Sequence, residues 1–308
     1  MFVENFNKSF KKEYDVFRYN NSKYMIGIFD SGFGGLTTVR ELRRILPQYD
    51  ILFLGDSART PYGSRSTEAV TRCTEEGVQR LFAEGAQIVL VACNTASADA
   101  LRYLQAQYPH QKTLGTLIPA VEEALTQTRF GRIGVLATRG VVASGNYEKE
   151  LKKLSSSLYH PTEKRAEKKP RIISAAAPLL VPLVEEGWIT KPETRMILRK
   201  YLRPLKEANI DTLILGCTHY PLLFQEFQRK MGKHCTIINS GAAQARKFAE
   251  YLVRHPEIEK TLSQKGTCRF FTTDDASRFR ELGSRFLRET LSRDQVSRIE
   301  LLPISSLA

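Results

Sequence analysis

Val89-Leu90-Val91-Ala92-Cys93-Asn94-Thr95 and Leu213-Ile214-Leu215-Gly216-Cys217-Thr218-His219 each drive an unbroken apolar run into a cysteine followed by two hydrogen-bonding residues. Short apolar runs without polar alternation read as strands covered on both faces, the habit of parallel sheets. Outward from these two stretches, from Met25 onward, further β-rich runs alternate with segments whose apolar residues recur every three to four positions. The spacing predicts strands at 25–30, 50–55, 87–92, 112–117, 132–137, 171–175, 211–216, 235–238 and 268–272. It predicts helices at 36–46, 66–82, 96–108, 192–206, 221–231 and 276–290. Such alternation implies an α/β fold with mostly parallel sheets flanked by helices.

A faint internal repeat sets Ile26-Gly27-Ile28-Phe29-Asp30 against Ile133-Gly134-Val135-Leu136-Ala137, and each half then closes on one of the cysteine strands. The second half is longer by about the length of the Ser-, Lys- and Glu-rich stretch 155–170, which reads as a surface insertion. The expected organisation is two similar lobes with an active site in the cleft between them. The first lobe would take 25–118 plus 236–308, and the second 119–235. Residues 1–24 fall outside the repeat as an N-terminal extension. There Phe2, Phe6, Phe10, Tyr14 and Phe17 would share one helical face suited to docking on a surface, the alternative being a poorly ordered tail. A shorter product beginning at Met25 would still carry every motif discussed below.

The composition narrows the function classes. In 308 residues with 42% hydrophobic content there is enough apolar material for two cored domains. No apolar run reaches membrane-spanning length and no secretory leader is evident, so a membrane partner is not expected and the cytoplasm is the expected location. The formal charge of +13 favours anionic ligands, but the basic residues are dispersed and lack any nucleic-acid-binding motif, so nucleic acid is not an expected partner. Five scattered cysteines without a CxxC pair suit reduced thiols better than disulfides or a zinc ribbon.

Two of those thiols carry the chemical signal. Cys93 and Cys217 sit where a strand's C-terminal end turns into a helix, and helix N-termini lower thiol pKa and supply donors for a carboxylate. Two thiols facing one cleft from opposite sides are what inversion of a stereocentre without a cofactor requires, because one group removes a proton from one face while its like delivers a proton to the other. Cys73, Cys235 and Cys268 lack this context and read as packing residues. Pairing Cys217 with His219 as metal ligands leaves the remaining ligands unsupplied, so no metal is expected. Asp30-Ser31-Gly32-Phe33-Gly34-Gly35 leaves a strand for a helix and could cradle an anion. Read as a dinucleotide fingerprint, it has Thr37 at the third glycine position and would set Asp30 beside a pyrophosphate. No P-loop pattern occurs.

Taken in order, Asp30-Ser31-Gly32-Phe33-Gly34-Gly35-Leu36, Pro61-Tyr62-Gly63, Ala92-Cys93-Asn94-Thr95-Ala96-Ser97 and Gly216-Cys217-Thr218-His219-Tyr220-Pro221-Leu222 resemble the glutamate racemases of the aspartate/glutamate racemase superfamily, over about residues 25–290. The resemblance implies a cofactor-independent isomerase that interconverts L- and D-glutamate for peptidoglycan biosynthesis. It implies that Cys93 and Cys217 are the acid/base pair, with Asp30 assisting Cys93, and His219 with Glu185 assisting Cys217. Asp30, Ser31, Tyr62, Gly63, Asn94, Thr95, Thr218 and His219 would bind substrate. A homodimer is left open as the assembly. Two positions depart from the family pattern: Val141 stands where a threonine is usual, and Asn239 where an acidic residue is common. Rival readings are a racemase of another amino acid such as aspartate, and a non-catalytic binder of an acidic partner, whose mark would be the loss of one thiol.

Overall fold

From Ile26 to Asp30 every side chain of the first strand is buried, which leaves no face for water and demands cover on both sides. A computed structural model describes residues 24–161, 163 and 166–301. The expected N-terminal extension, with its aromatic stripe, lies outside the described residues apart from Tyr24. Ten strands are described: β1 (Met25–Asp30), β2 (Ile51–Gly55), β3 (Ala86–Val91), β4 (Lys112–Gly115), β5 (Arg132–Ala137), β6 (Arg171–Ala176), β7 (Thr212–Gly216), β8 (Thr236–Asn239), β9 (Cys268–Thr272) and β10 (Val296–Arg298). They form a six-stranded sheet of order β10-β9-β2-β1-β3-β4 and a four-stranded sheet of order β6-β5-β7-β8. Every pairing is parallel.

The internal repeat is present as topology. Replacing β1 by β5, β2 by β6, β3 by β7 and β4 by β8 turns the order β2-β1-β3-β4 of one sheet into that of the other. The register repeats too: Phe29 pairs with Val91, two residues before Cys93, and Leu136 pairs with Leu215, two residues before Cys217. Each thiol therefore leaves the same edge of an equivalent sheet, beside a central strand, which is where open α/β sheets bind ligands.

Several boundaries differ from the sequence reading. The extra length of the second half is only partly a surface loop, because two helices, Arg139–Ser144 and Asn146–Leu158, stand where the first half has Leu36–Ile45 alone. Residues 155–158 finish the second of these helices. Helices Leu117–Gln127 and Ser240–Arg254 and the short strand β10 escaped the reading. The expected return to the first lobe at 236 comes later, since β8 pairs with β7 in the second sheet. After β8, helix Ser240–Arg254 packs on helices from both halves, Leu36–Ile45 and Leu117–Gln127. Its contact with the first is close enough that a Cβ on Gly241 would lie 2.5 Å from the Thr38 hydroxyl. One apolar core continues through both halves, from Ile28 and Phe53 to Leu213 and Phe227, so burial of apolar surface joins the lobes as well as filling them.

Candidate active site

Cys93 is itself the cap of the helix that follows it, Asn94–Asp99, with its sulfur accepting from the Ala96 amide at 3.5 Å. The expected helix at 96–108 therefore starts two residues earlier, and breaks at Ala100 into a second helix, Leu101–Gln107. The thiol also lies 3.4 Å from the Ser31 hydroxyl. Burial pushes the Cys93 pKa up to about 12, with the nearby Asp30 carboxylate adding to the rise, so the sulfur keeps its proton at neutral pH.

Across the cleft, the Cys217 sulfur lies 3.9 Å from Nδ1 of His219, whose Nε2 is 2.9 Å from the Glu185 carboxylate. Glu185 ends the helix Leu180–Glu185, which brings it to the far side of the imidazole. Burial works against charge on His219, but the sulfur on one side and the carboxylate on the other raise its pKa to about 10. The environments are thus opposite in sign: a carboxylate beside Cys93, an imidazolium beside Cys217.

Asp30, at the end of β1, is fully buried and accepts from the Gly32 amide at 3.1 Å and from the Thr218 hydroxyl at 3.3 Å. Burial raises its pKa, against the pull of His219 and these donors. Its hydrogen bonds thus run to its own turn and, through Thr218, to the Cys217 loop, while its influence on Cys93 is through the electric field. Thr37 fastens the same loop by donating to the Thr218 carbonyl at 2.9 Å.

One cavity of about 20 Å³ is lined by both thiols with Ser31, Tyr62, Gly63, Asn94, Thr95, Thr218 and His219. Among the expected site residues only Asp30 and Glu185 stand behind the lining, each touching it through a hydrogen bond. Tyr62 needs a correction of detail: its hydroxyl donates to Asp56, so the residue offers its backbone and ring edge and no free phenol. Asp56 also accepts from Arg59 at 2.7 Å, which pins the 59–63 loop against the first lobe. Cys73, Cys235 and Cys268 do not line this cavity. Among the described residues, no group of three or more His, Cys, Asp or Glu side chains could hold a metal.

The sequence reading missed Thr138, which caps the helix Arg139–Ser144 and meets the Thr95 hydroxyl at 3.0 Å across the lobes. Its signal is a threonine between the end of a strand and the start of a helix. Val141 points into the second-lobe core and gives only its amide, to Thr138. Asn239 still caps the helix Ser240–Arg254 by accepting from the Gly241 and Ala242 amides, so the loss of an acidic residue leaves that cap in place.

Gly34 shows how closely the lobes meet. A Cβ there would lie 2.2 Å from the Thr218 hydroxyl and 2.6 Å from Nδ1 of His219. Gly34→Ala is therefore expected to push the Cys217 loop away and lower kcat/KM about 100-fold, the order of loss from a misplacement of ~1 Å. Steady-state kinetics check it, and an unchanged kcat/KM would mean that this loop is free to yield.

Residues 36–248 match the family described as Asp/Glu/hydantoin racemase. The chain is 40% identical over 262 residues to a glutamate racemase of Geobacter metallireducens, covering 85% of this chain and 92% of that protein. Its structure is similar to that of a glutamate racemase isoform from Bacillus anthracis, with TM-score 0.80 and 35% identity, covering 90% of this chain and 98% of the other. It is similar also to a glutamate racemase from Francisella tularensis in complex with D-glutamate, with TM-score 0.78 and 27% identity, covering 91% and 98%.

Proposed function

Because the chain belongs to the Asp/Glu/hydantoin racemase family, we propose that it interconverts L- and D-glutamate, with Cys93 and Cys217 as its paired acid and base. The observation that carries this reading is the placement of two thiols at equivalent strand ends of two repeated sheets, lining one cavity. Glutamate is preferred to aspartate because the three similar proteins described above are glutamate racemases, one of them in complex with D-glutamate. The product would serve peptidoglycan synthesis in the cytoplasm, a compartment that keeps thiols reduced.

At rest Cys93 holds its proton, and the His219 ring stands beside the Cys217 sulfur, placed to stabilise negative charge there when Cys217 acts as base. The Cys217 thiolate removes the α-proton from one face of the substrate, and the Cys93 S–H gives its proton to the opposite face. This leaves Cys217 as thiol and Cys93 as thiolate, the form that runs the reaction in reverse. Asn94, Thr95 and Thr218 line the cavity in which the substrate carboxylates would sit, and Asp30 holds the Thr218 hydroxyl from behind it. A cavity of about 20 Å³ has room for about one water, so the site must widen to admit glutamate.

Circular dichroism of the purified protein with L-glutamate, L-aspartate and hydantoins, without added pyridoxal phosphate or metal, tests the assignment. Loss of ellipticity is expected with glutamate. Turnover of aspartate alone would reassign the substrate, and a rate that requires pyridoxal phosphate would overturn the two-thiol scheme.

The charge on His219 makes a separate prediction about stability. A group whose pKa is higher in the folded protein holds extra protons there, so its contribution is complete below its ordinary pKa and is lost as pH rises through the folded one. For His219 the window runs from 6.5 to about 10. The melting temperature of wild type minus that of His219→Asn should fall across this window. A flat difference would return His219 to an ordinary pKa.

A further inference from the structure

Resting on the racemase reading above, we propose that Tyr147 is a positioning residue: it fixes the Asn94 amide towards the substrate carboxylate and ties that contact to the loop carrying Cys217. Tyr147 belongs to the helix Asn146–Leu158 of the second lobe, whereas Asn94 follows Cys93 in the first. Both side chains are almost completely shielded from solvent.

The Tyr147 hydroxyl donates to Oδ1 of Asn94 at 2.6 Å, and Nδ2 of Asn94 donates to the Ser240 hydroxyl at 3.3 Å. The shorter distance suits O–H···O and the longer one N–H···O, so the two partners choose one of the two possible orientations of the amide. Nδ2 carries two hydrogens. With one engaged by Ser240, the other remains for a ligand in the cavity that Asn94 lines. Were the amide reversed, a carbonyl oxygen would face the substrate carboxylate and repel it. Burial and the nearby Cys217 sulfur raise the phenol's pKa, so it stays protonated and keeps the hydrogen that it donates to Oδ1.

The same tyrosine packs beside the backbone that leads into the other thiol. A Cβ on Gly216, the residue before Cys217, would lie 3.3 Å from Cε2 of Tyr147. Its neighbour Asn146 donates to the Ala98 carbonyl at 2.7 Å, near the far end of the short helix capped by Cys93. The Asn94 end and the Ala98 end of that helix are thus both fastened to adjacent residues of one second-lobe helix. A shift of the lobes that moves Cys217 must move Asn94 with it.

The test is a double-substitution cycle on the full chain. Tyr147→Phe keeps the ring and removes the donor, and KM for both enantiomers should rise about tenfold while kcat changes by less than about threefold, the scale of one lost buried hydrogen bond. In an Asn94→Ala background the same substitution should change KM by less than about twofold, because the group it orients is gone. Ser240→Ala should behave likewise in both backgrounds, and it carries the test should Tyr147→Phe not fold. An unchanged KM when Tyr147→Phe is made alone, or an equal rise with and without Asn94→Ala, would assign the tyrosine to packing alone. If wild type racemises aspartate and not glutamate, only the substrate assignment fails and the cycle is run on aspartate. An enzyme inert to both would overturn this inference together with the function.

Discussion

Cys93→Ala and Cys217→Ala each abolish racemisation, lowering turnover by at least ~10³-fold, within the range that a positioned acid or base contributes. Each variant nevertheless keeps one thiol on one side of the cavity. That thiol can still remove the α-proton from whichever enantiomer presents it and return a proton to the same face. In deuterium oxide the two variants should therefore incorporate deuterium without inversion, one into L-glutamate and the other into D-glutamate. Proton NMR of the α-position together with circular dichroism reads both outcomes. Near wild-type turnover of both enantiomers by either variant would falsify the paired scheme, and incorporation into the same enantiomer by both would place the thiols on one face.

Next in size are the residues that tune the thiols. His219→Asn removes the cation beside Cys217, and Asp30→Asn removes the negative charge that helps keep Cys93 protonated. Each should lower kcat/KM by about 10²-fold. The equilibrium constant between mirror images is one, so kcat/KM must fall by the same factor in both directions whatever the variant. The difference has to be sought in kcat. Because the two substitutions act on opposite thiols, the ratio of kcat from L to D over kcat from D to L should move in opposite senses. Movement in the same sense, or none, would mean that Asp30 and His219 do not serve separate thiols, a result foreshadowed by Asp30 accepting its hydrogen bond from Thr218 on the Cys217 loop.

Most of the strand framework was legible because a parallel strand buried on both faces must be written as an apolar run, and nine such runs stand out between punctuating turns. The strand β10 was not, being three residues of which only Val296 is buried. The helix Ser240–Arg254 hid for a different reason: it opens on Ser-Gly-Ala-Ala, small residues that permit its close approach to Thr38 and leave little apolar periodicity to see. The two thiols were readable from the strand ends that hold them. Thr138, Tyr147 and Ser240 were not, since their parts depend on which residue of the other lobe lies opposite, and chain spacing does not encode that distance. Nor does sequence reveal that the Tyr62 hydroxyl turns inward to Asp56.

The shared strand order of the two sheets has a geometric consequence for the chemistry. The two lobes repeat one strand order, and the thiols at their equivalent strand ends line one cavity. A planar carbanion also has faces that exchange under rotation about an axis in its own plane. A substrate in that cavity therefore meets a thiol from the equivalent strand end of each lobe. The likeness stops where charge begins. Asp30 corresponds to Ala137 and His219 to Thr95, so each lobe keeps the helper its counterpart lacks. The backbone answers to the symmetry of the intermediate, and the side chains decide which half of it holds the proton at rest.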